Sequence, residues 1–297
     1  MAADVLSASA AARDVFARAD AALGESLSKI ILEGPADALT LTANAQPALV
    51  ATSCALLAAL RERVPDLAPP AFAAGHSLGE YSALVAAGAI TLEDAVRVVR
   101  ARGIAMQEAV PAGVGAMSAI MGIAADRLEA LCAECAQGEV VAPANFNAPG
   151  QIVLAGHAGA VARVAERVTA EKGRAVPLQV SAPFHCSLMA PAARALEPRI
   201  DALPIASLRF PVVANFDAHP NADPRRVKEL LLRQVDGAVR WEESVRLMAA
   251  EGVTQALEIG PGKVLAGLAK RIAKDIKVQS VGDITSLDDA ARFLASA

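Results

Sequence analysis

Apolar positions along the chain follow two alternating patterns. Short continuous apolar runs, typical of buried strands, are separated by longer stretches rich in alanine and leucine that have the spacing of helices. This alternation predicts an α/β fold with a largely parallel sheet. One of the predicted helices has Pro47 in its first turn. The patterns predict strands at residues 71–74, 212–215 and 253–259, and helices at residues 47–64, 78–87, 91–109, 223–234, 241–251 and 263–274.

The middle of the chain has a different pattern of predicted elements from the rest. Its apolar runs predict the order β-α-β-β-α-β, which is the order of ferredoxin-like domains, and the unit is long enough to pack as a small inserted domain. We therefore predict a large α/β domain formed by residues 1–113 and 182–297, and an inserted ferredoxin-like subdomain formed by residues 114–181. The six segments of the unit are predicted at residues 115–122, 125–136, 139–144, 151–156, 158–172 and 175–180.

Composition and charge exclude several classes of protein. Hydrophobic residues make up 54% of the 297-residue chain, enough for a large core, and the formal net charge is −4, which disfavours nucleic acid as a partner. No apolar run reaches the roughly 18 residues of a membrane span. The first five residues lack the basic start and apolar core of a signal peptide. We expect a cytoplasmic protein with no nucleic-acid or membrane partner.

The four cysteines indicate neither a metal site nor a redox site. Cys132 and Cys135 form a C-x-x-C pair, but the chain has no second pair for zinc, and the motif does not open a helix after a strand. We interpret the pair as two small apolar positions on one helical face. Scattered cysteines in a cytoplasmic chain predict free thiols, and no bound metal is expected.

A G-x-S-x-G motif, Gly75-His76-Ser77-Leu78-Gly79, is the strongest chemical signal in the chain. The motif is the sequence form of a nucleophile elbow, in which a serine lies on a sharp turn between a strand and a helix. Gly and Ser share many loops, so the flanking patterns matter; an apolar run precedes the motif and a helix that ends at Gly88 follows it. We expect both motif glycines to be required because a side chain there would clash. The Leu78 N–H is expected to face a developing oxyanion.

A serine nucleophile needs a base, and the chain offers four histidines. His76 lies inside the elbow and is interpreted as a shaping residue, while His157 is expected to cap a helix. His219 is expected in a surface turn. His185 remains. It lies in a segment that joins the small domain back to the large one, and ligand-binding sites often form in such crevices between domains. We predict that His185 is the base.

The run from Gly75 to Leu84 resembles the active-site segment of malonyl-CoA:acyl-carrier-protein transacylases. The resemblance extends from about residue 10 to the C-terminus. It implies an α/β-hydrolase-like core that carries an inserted ferredoxin-like subdomain. The other motifs that carry it are Ala101-Arg102-Gly103, Gly115-Ala116-Met117, residues 145–151 (NFNAPGQ), residues 181–189, Gln234 with Trp241, and residues 258–265 (EIGPGKVL).

This resemblance implies an acyl transfer in two steps. Ser77 would take malonyl from malonyl-CoA and then give it to the phosphopantetheine thiol of acyl carrier protein, with no cofactor. His185 would act first as general base and then as general acid. A main-chain carbonyl near Gln234, rather than a carboxylate, would hold the histidine. We expect a monomer that serves fatty acid biosynthesis, with polyketide synthesis as the open alternative.

Further residues acquire roles through the same resemblance. Arg102 would bind the malonyl carboxylate, because a guanidinium fits a carboxylate with two hydrogen bonds and stays charged when buried. We interpret its neighbours Arg97 and Arg100 as solvated helix residues. Phe184 would fill the space that an α-methyl group of a branched substrate needs. Gln46 matches a position near the site, where it would support the structure or contact the substrate.

One departure from the family pattern concerns the start of the chain. Members of the family open with an apolar strand and a Gly-Gln-Gly-x-Gln loop that supplies the second oxyanion donor, and the sequence as given contains neither. Residues 6–23 match the helix that normally follows that loop, so the resemblance implies a helix there. We expect a mis-assigned start or a truncated form, with a natural short form as the alternative. Two other functions stay open: a serine esterase or thioesterase, and a weakly active or non-catalytic form that binds acyl carrier protein.

Overall fold

The computed structural model describes residues 3–295, so the outermost residues of the predicted large domain, 1, 2, 296 and 297, lie outside the described part. The single helix predicted at residues 6–23 is wrong, because two helices occupy this region: α1 (Ala3–Ala8) and α2 (Ala10–Leu23). Ser9 separates them in an extended conformation, with φ −120° and ψ 123°. Its Oγ accepts a hydrogen bond from the Ala12 N–H at 2.9 Å and donates to the Glu62 carboxylate, so a capping serine starts a second helix here.

Three helices follow, and the longest begins earlier than predicted. Pro47 lies in the second turn of this helix rather than the first, because the Leu41 carbonyl accepts from the Asn44 and Ala45 N–H groups, both at 2.8 Å, and starts the helix upstream. Because proline has no N–H, residue 47 cannot donate to the carbonyl of Ala43, four residues earlier. The three helices are α3 (Leu27–Glu33), α4 (Ala36–Thr40) and α5 (Thr42–Arg63).

Helix α5 runs through the main core. Residues such as Val50, Ala55, Leu56 and Leu60 are buried in one cluster with side chains from α2 and from the helices that follow. By length and composition α5 could cross a membrane, yet 61% of its most apolar window is buried inside the protein. Buried core helices pass the same test, so this is weak evidence for a membrane span.

The next segments form the strand–turn–helix expected from the motif. Strand β1 (Ala73–Ala74) is short, and α6 (Gly79–Ala87) begins five residues after it ends. Gly88 ends α6 with φ 79°, the left-handed conformation that favours glycine. Helix α7 (Leu92–Glu108) follows, with the Thr91 Oγ1 accepting from the Asp94 N–H at 3.1 Å.

A four-stranded antiparallel sheet occupies the middle of the chain. Its strand order is β3-β4-β2-β5, the order expected for the ferredoxin-like arrangement. Helices α8 and α9 cover this sheet through their own apolar cluster, which includes Leu128, Leu131, Val164 and Val168. The elements are β2 (Gly115–Met121), α8 (Ala125–Cys135), β3 (Val141–Ala148), β4 (Gln151–His157), α9 (Ala158–Ala170) and β5 (Arg174–Pro177).

The rest of the chain returns to the large α/β part. The predicted elements near residues 212, 223, 241, 255 and 264 are all present within a few residues, but the strand predicted at 212–215 covers only two residues. The elements are α10 (Ala190–Asp201), β6 (Val212–Val213), β7 (Pro220–Asn221), α11 (Pro224–Asp236), α12 (Trp241–Ala250), β8 (Gln255–Ile259), α13 (Val264–Ile272), β9 (Lys277–Val281) and α14 (Ile284–Ala295).

The strands of the large part pair mainly in parallel. Strand β1 is parallel to β6, β8 is parallel to β9, and β7 is antiparallel to β6. The predicted α/β class is therefore confirmed. The small sheet reaches the large part through residue 239, whose carbonyl accepts from the Phe146 N–H at 2.9 Å and whose N–H donates to the Ala144 carbonyl at 2.8 Å. This contact places β3 beside the segment that follows α11.

Candidate active site

The turn between β1 and α6 has the strained geometry of an elbow. Ser77 has φ 53°, a conformation that L-residues rarely adopt. A Cβ on Gly75 would lie 2.0 Å from the backbone carbonyl carbon of Gly79, so position 75 accepts only glycine. A Cβ on Gly79 would meet no atom within 4 Å, so the expectation that both glycines are required is wrong for Gly79.

Asn215, just after β6, ties this turn together from the neighbouring strand. Its Oδ1 accepts from the Ser77 N–H at 2.6 Å, and its Nδ2 donates to the Gly75 carbonyl at 2.7 Å. The side-chain amide of Asn215 thus pairs with a backbone N–H and a backbone carbonyl of the turn, as a neighbouring peptide group would. Sequence analysis missed Asn215, because 138 residues separate it from the serine and no local pattern marks the contact.

Ser77 and His185 lie within hydrogen-bonding distance, with 2.7 Å between the serine Oγ and the histidine Nε2. The Nδ1 of His185 lies 2.9 Å from the Gln234 carbonyl oxygen and 3.2 Å from that of Gly237. Both oxygens can only accept, so the ring proton is on Nδ1 and the bare Nε2 accepts the serine hydroxyl proton. Main-chain carbonyls therefore orient the imidazole, where many serine hydrolases use a carboxylate.

Burial keeps this imidazole neutral. Desolvation, reinforced by the positive charge of Arg102, lowers the pKa of His185 to about 3, although the carbonyls of Gln234 and Gly237 raise it. A neutral imidazole at neutral pH is the form that accepts a proton. The backbone of His185 also has a positive φ, 60°, so both members of the Ser77–His185 pair lie in conformations that the surrounding contacts must hold.

Arg102, on α7, contacts the Ser77 hydroxyl from the side of the core. Its side chain is 1% exposed, and its Nη2 donates to the Ser77 Oγ at 3.0 Å and to the Gln234 Oε1 at 2.9 Å. Its Nη1 donates to the Gln46 Oε1 at 2.8 Å. Burial lowers the pKa of Arg102, but a guanidinium remains charged in proteins. Within residues 3–295 all of its acceptors are neutral, and its Nε–H has no partner.

The structure brings two more predicted residues near this cluster. Gln46 is 4% exposed and contacts the guanidinium rather than open space. Phe184 packs between the main core and a second cluster that includes Met117 and Cys186, at the seam between the large part and the small sheet. No part of the described chain pairs with the Leu78 N–H, which is the N-cap position of α6.

The two neighbouring arginines behave differently from each other. Arg97 is a half-exposed helix residue, as expected, and its Nε donates to the Ala22 carbonyl at 3.0 Å. The interpretation of Arg100 as solvated is wrong. Its side chain is only 17% exposed, and it forms an ion pair with Glu25 and a hydrogen bond to Asn44, because α7 presents it to the loop before α3 and to the first turn of α5.

Within the described residues, the side chains of the other three histidines do not contact the Ser77 hydroxyl. The His76 Nε2 lies 2.8 Å from the Asn147 Oδ1 on β3, so this residue links the elbow to the small sheet. His157 lies at the N-cap position of α9, as expected, but its side chain makes no capping hydrogen bond, and its Nδ1 accepts from the Val140 N–H at 2.9 Å. His219 is exposed in a turn, as predicted. Elsewhere, the four cysteines are free and buried.

The chain is similar in sequence to known proteins over nearly its whole length. It matches the acyl transferase domain family over residues 1–291. It is 47% identical over 289 residues to the malonyl CoA-acyl carrier protein transacylase of Bacillus subtilis (strain 168), with 96% of this chain and 89% of that protein covered. The Escherichia coli (strain K12) protein of the same name is 43% identical over 288 residues, with 97% and 93% covered.

Solved structures agree with these relatives. An acyl carrier protein S-malonyltransferase from Vibrio cholerae matches with a TM-score of 0.94 at 45% identity, covering 97% of this chain and 94% of that one. A malonyl-transacylase in complex with a type II PKS acyl-carrier protein matches with a TM-score of 0.94 at 42% identity, covering 98% and 94%. This chain therefore belongs to the malonyl CoA-acyl carrier protein transacylase family, as its motifs predict.

Proposed function

We propose that this protein is an acyltransferase that moves malonyl from malonyl-CoA to the phosphopantetheine thiol of acyl carrier protein. The observation that carries the proposal is the position of Arg102, a buried guanidinium with only neutral acceptors, 3.0 Å from the Ser77 hydroxyl that His185 also contacts. The site thus combines an activated serine with a cation suited to a carboxylate on the same acyl group. Relatives of this chain are named for the same acyl donor, malonyl-CoA, and the same acceptor, acyl carrier protein.

The first step acylates the serine. His185 Nε2 takes the proton of the Ser77 hydroxyl as Oγ attacks the thioester carbonyl carbon. The resulting oxyanion accepts a hydrogen bond from the free Leu78 N–H. The C–S bond then breaks, the coenzyme A thiolate takes the proton from Nε2, and malonyl remains as an ester on Ser77.

The second step reverses these roles with a new thiol. The phosphopantetheine thiol of the carrier protein gives its proton to the neutral Nε2 and attacks the ester carbonyl. The Ser77 oxygen leaves and recovers that proton from Nε2, so the enzyme returns to its starting state. The carbonyls of Gln234 and Gly237 hold the imidazole through both steps by accepting its Nδ1–H.

Substrate selection follows from the residues around the serine. Arg102 binds the malonyl carboxylate, and Gln46 holds the guanidinium in place by accepting from Nη1. Phe184 fills the space that an α-methyl group would occupy. The reaction needs no cofactor. We propose that the protein is a monomer, and that it works in the cytoplasm in fatty acid biosynthesis. The division into a large domain (1–113 and 182–297) and a subdomain (114–181) is likewise part of this proposal.

A serine esterase or thioesterase is the second candidate for this elbow. A hydrolase of that kind would orient its histidine with an Asp or Glu, whereas carbonyl oxygens contact the Nδ1 of His185 here. The fate of the acyl group separates the candidates. We expect radiolabelled malonyl to move from malonyl-CoA to holo-acyl carrier protein, with little free malonate released when the carrier is absent. Rapid malonate release without a carrier would indicate a thioesterase, and no acyl-enzyme at all would indicate a non-catalytic carrier-binding protein.

A further inference from the structure

Glu80 is a buried carboxyl that the steps above do not use. It lies in the first turn of α6, three residues after Ser77, and is 2% exposed. Its Oε2 accepts from the Asn215 N–H at 2.9 Å and from the Gln234 Nε2 at 2.8 Å. A buried carboxylate is costly unless its charge is balanced, so the position of the nearest positive charge matters.

Gln234 connects this carboxyl to the guanidinium. Its Nε2 donates to the Glu80 Oε2 and, at 2.9 Å, to the Ser77 carbonyl oxygen. The Ser77 carbonyl oxygen can only accept a hydrogen bond, and the Glu80 Oε2 already accepts from two N–H groups. The Gln234 side-chain amide therefore has one favourable orientation, with its Nε2 toward these two oxygens. Its Oε1 therefore faces Arg102, whose Nη2 donates to it at 2.9 Å.

The charges on the two sides of this amide are opposite. Burial raises the pKa of Glu80 to about 7, while the Asn215 and Gln234 donors and the charge of Arg102 lower it, and Asp217 raises it further. Tyr81, the other titratable neighbour, has its pKa raised to about 12 and is neutral. Above pH 7 the cluster thus holds one carboxylate and one guanidinium, separated by the Gln234 amide.

We propose that Glu80 is the internal counter-ion of Arg102, and that it positions the guanidinium for malonyl through the Gln234 amide. The inference rests on the proposed function. A direct ion pair would occupy the donors that the substrate carboxylate needs. A buried guanidinium with no counter-ion would be free to turn or to be displaced. Holding the carboxylate one amide away balances the charge and leaves Arg102 able to bind the substrate.

The arrangement makes two substitutions act in opposite directions. Glu80→Gln keeps an oxygen that can accept from Asn215 and Gln234 but removes the negative charge, so the malonyl carboxylate meets less repulsion. Glu80→Leu removes both the charge and the acceptor, so the Gln234 amide and Arg102 lose their fixed orientation. A residue that only supports the fold would weaken the protein in both variants and affect every substrate alike.

The test is single-turnover acylation of Ser77 at pH 8, with malonyl-CoA and acetyl-CoA each varied in concentration and melting temperatures measured in parallel. For Glu80→Gln, we expect the half-saturating malonyl-CoA concentration to fall about threefold, because one charge repulsion is removed. For Glu80→Leu, we expect it to rise about tenfold or more, because the Gln234 amide loses its acceptor and no longer fixes the orientation of Arg102. The values for acetyl-CoA should change much less in both variants.

The Glu80→Gln substitution in an Arg102→Ala background is the control: without Arg102 nothing holds the malonyl carboxylate near Glu80, so the effect on malonyl-CoA should disappear. This pair also keeps the test decisive if Glu80→Leu does not fold. Equal effects of Glu80→Gln on the two substrates, or an unchanged malonyl preference, would overturn the counter-ion role. Failure of the unaltered protein to form malonyl-Ser77 would instead refute the proposed function.

Discussion

At the scale of single residues, the proposed chemistry depends on a base that is neutral and fixed. His185 is buried, its pKa is lowered to about 3, and two carbonyls hold its Nδ1–H. A general base contributes about 10²- to 10⁴-fold to a rate, so His185→Ala should slow acylation by malonyl-CoA by that factor. His219→Ala, in an exposed turn, is the matched control and should keep the full rate. A loss of under about threefold in His185→Ala would give the role to another residue.

In the proposed mechanism, Arg102 determines which acyl group the serine accepts. Leaving a buried carboxylate without its partner costs roughly 3–5 kcal/mol, so Arg102→Ala should lose malonyl transfer by about 10²-fold or more. Its activity with acetyl-CoA, which has no carboxylate to bind, should rise relative to malonyl-CoA. Arg97→Ala removes a half-exposed arginine from the same helix and controls for helix stability. An unchanged ratio of the two activities in Arg102→Ala would contradict the assignment.

The sequence predicted the residues that a motif or a resemblance marks, and missed those that act through contacts distant in sequence. Ser77 stands in a recognisable pentapeptide, and His185 was reached by eliminating the other histidines. Asn215 carries no such mark, although it bonds both sides of the elbow. Glu80 lies next to the motif, but its importance depends on Gln234, which is 154 residues away. Such contacts have no periodicity that a single sequence can show.

At the scale of secondary structure elements, the elbow depends on one glycine more than on the other. A Cβ at position 75 would lie 2.0 Å from backbone atoms of Gly79, whereas a Cβ at position 79 has open space. Gly75→Ala should therefore lower the free energy of unfolding by roughly 1–3 kcal/mol or more and slow acylation. Gly79→Ala, at the first residue of α6, should be neutral or up to about 1 kcal/mol more stable. Chemical denaturation of the two variants measures both, and equal losses would contradict the elbow geometry.

The boundaries of elements were harder to predict than their existence. Apolar periodicity identified most helices of the large part, but it could not show that Ser9 interrupts the first one with a cap that Glu62 supports. Likewise, Pro47 indicated a helix start that the Leu41 carbonyl had already provided upstream. In both cases a hydrogen bond, rather than the apolar pattern, sets the boundary.

At the scale of the whole molecule, stability should depend on pH through its buried ionisable groups. Burial raises the pKa of Glu80 from its ordinary 4.5 to about 7, so between these values the folded state holds a proton that the unfolded chain has released. The stabilisation this gives is complete below about pH 4.5 and is lost as the pH rises through about 7. The pKa values of His76 and His185 are lowered, so their contributions decrease on acidification instead.

Substitution of Glu80 isolates one of these opposing effects. Glu80→Gln retains both histidines, so their contributions cancel in the difference between the two proteins. The stability of Glu80→Gln relative to the unaltered protein should increase from pH 5 to pH 8.5, by up to about 3 kcal/mol. Thermal unfolding across this range measures the difference. A difference that is constant with pH would show that Glu80 does not titrate with a raised pKa.

If malonyl passes through an ester on Ser77, that ester should be detectable when no acceptor is present. The protein is exposed briefly to malonyl-CoA without carrier protein, and intact mass and peptide mass spectrometry locate the adduct. We expect a single malonyl group on the peptide that contains Ser77, its loss on addition of holo-acyl carrier protein, and no adduct in Ser77→Ala. An adduct on another residue, or full transfer by Ser77→Ala, would contradict this expectation.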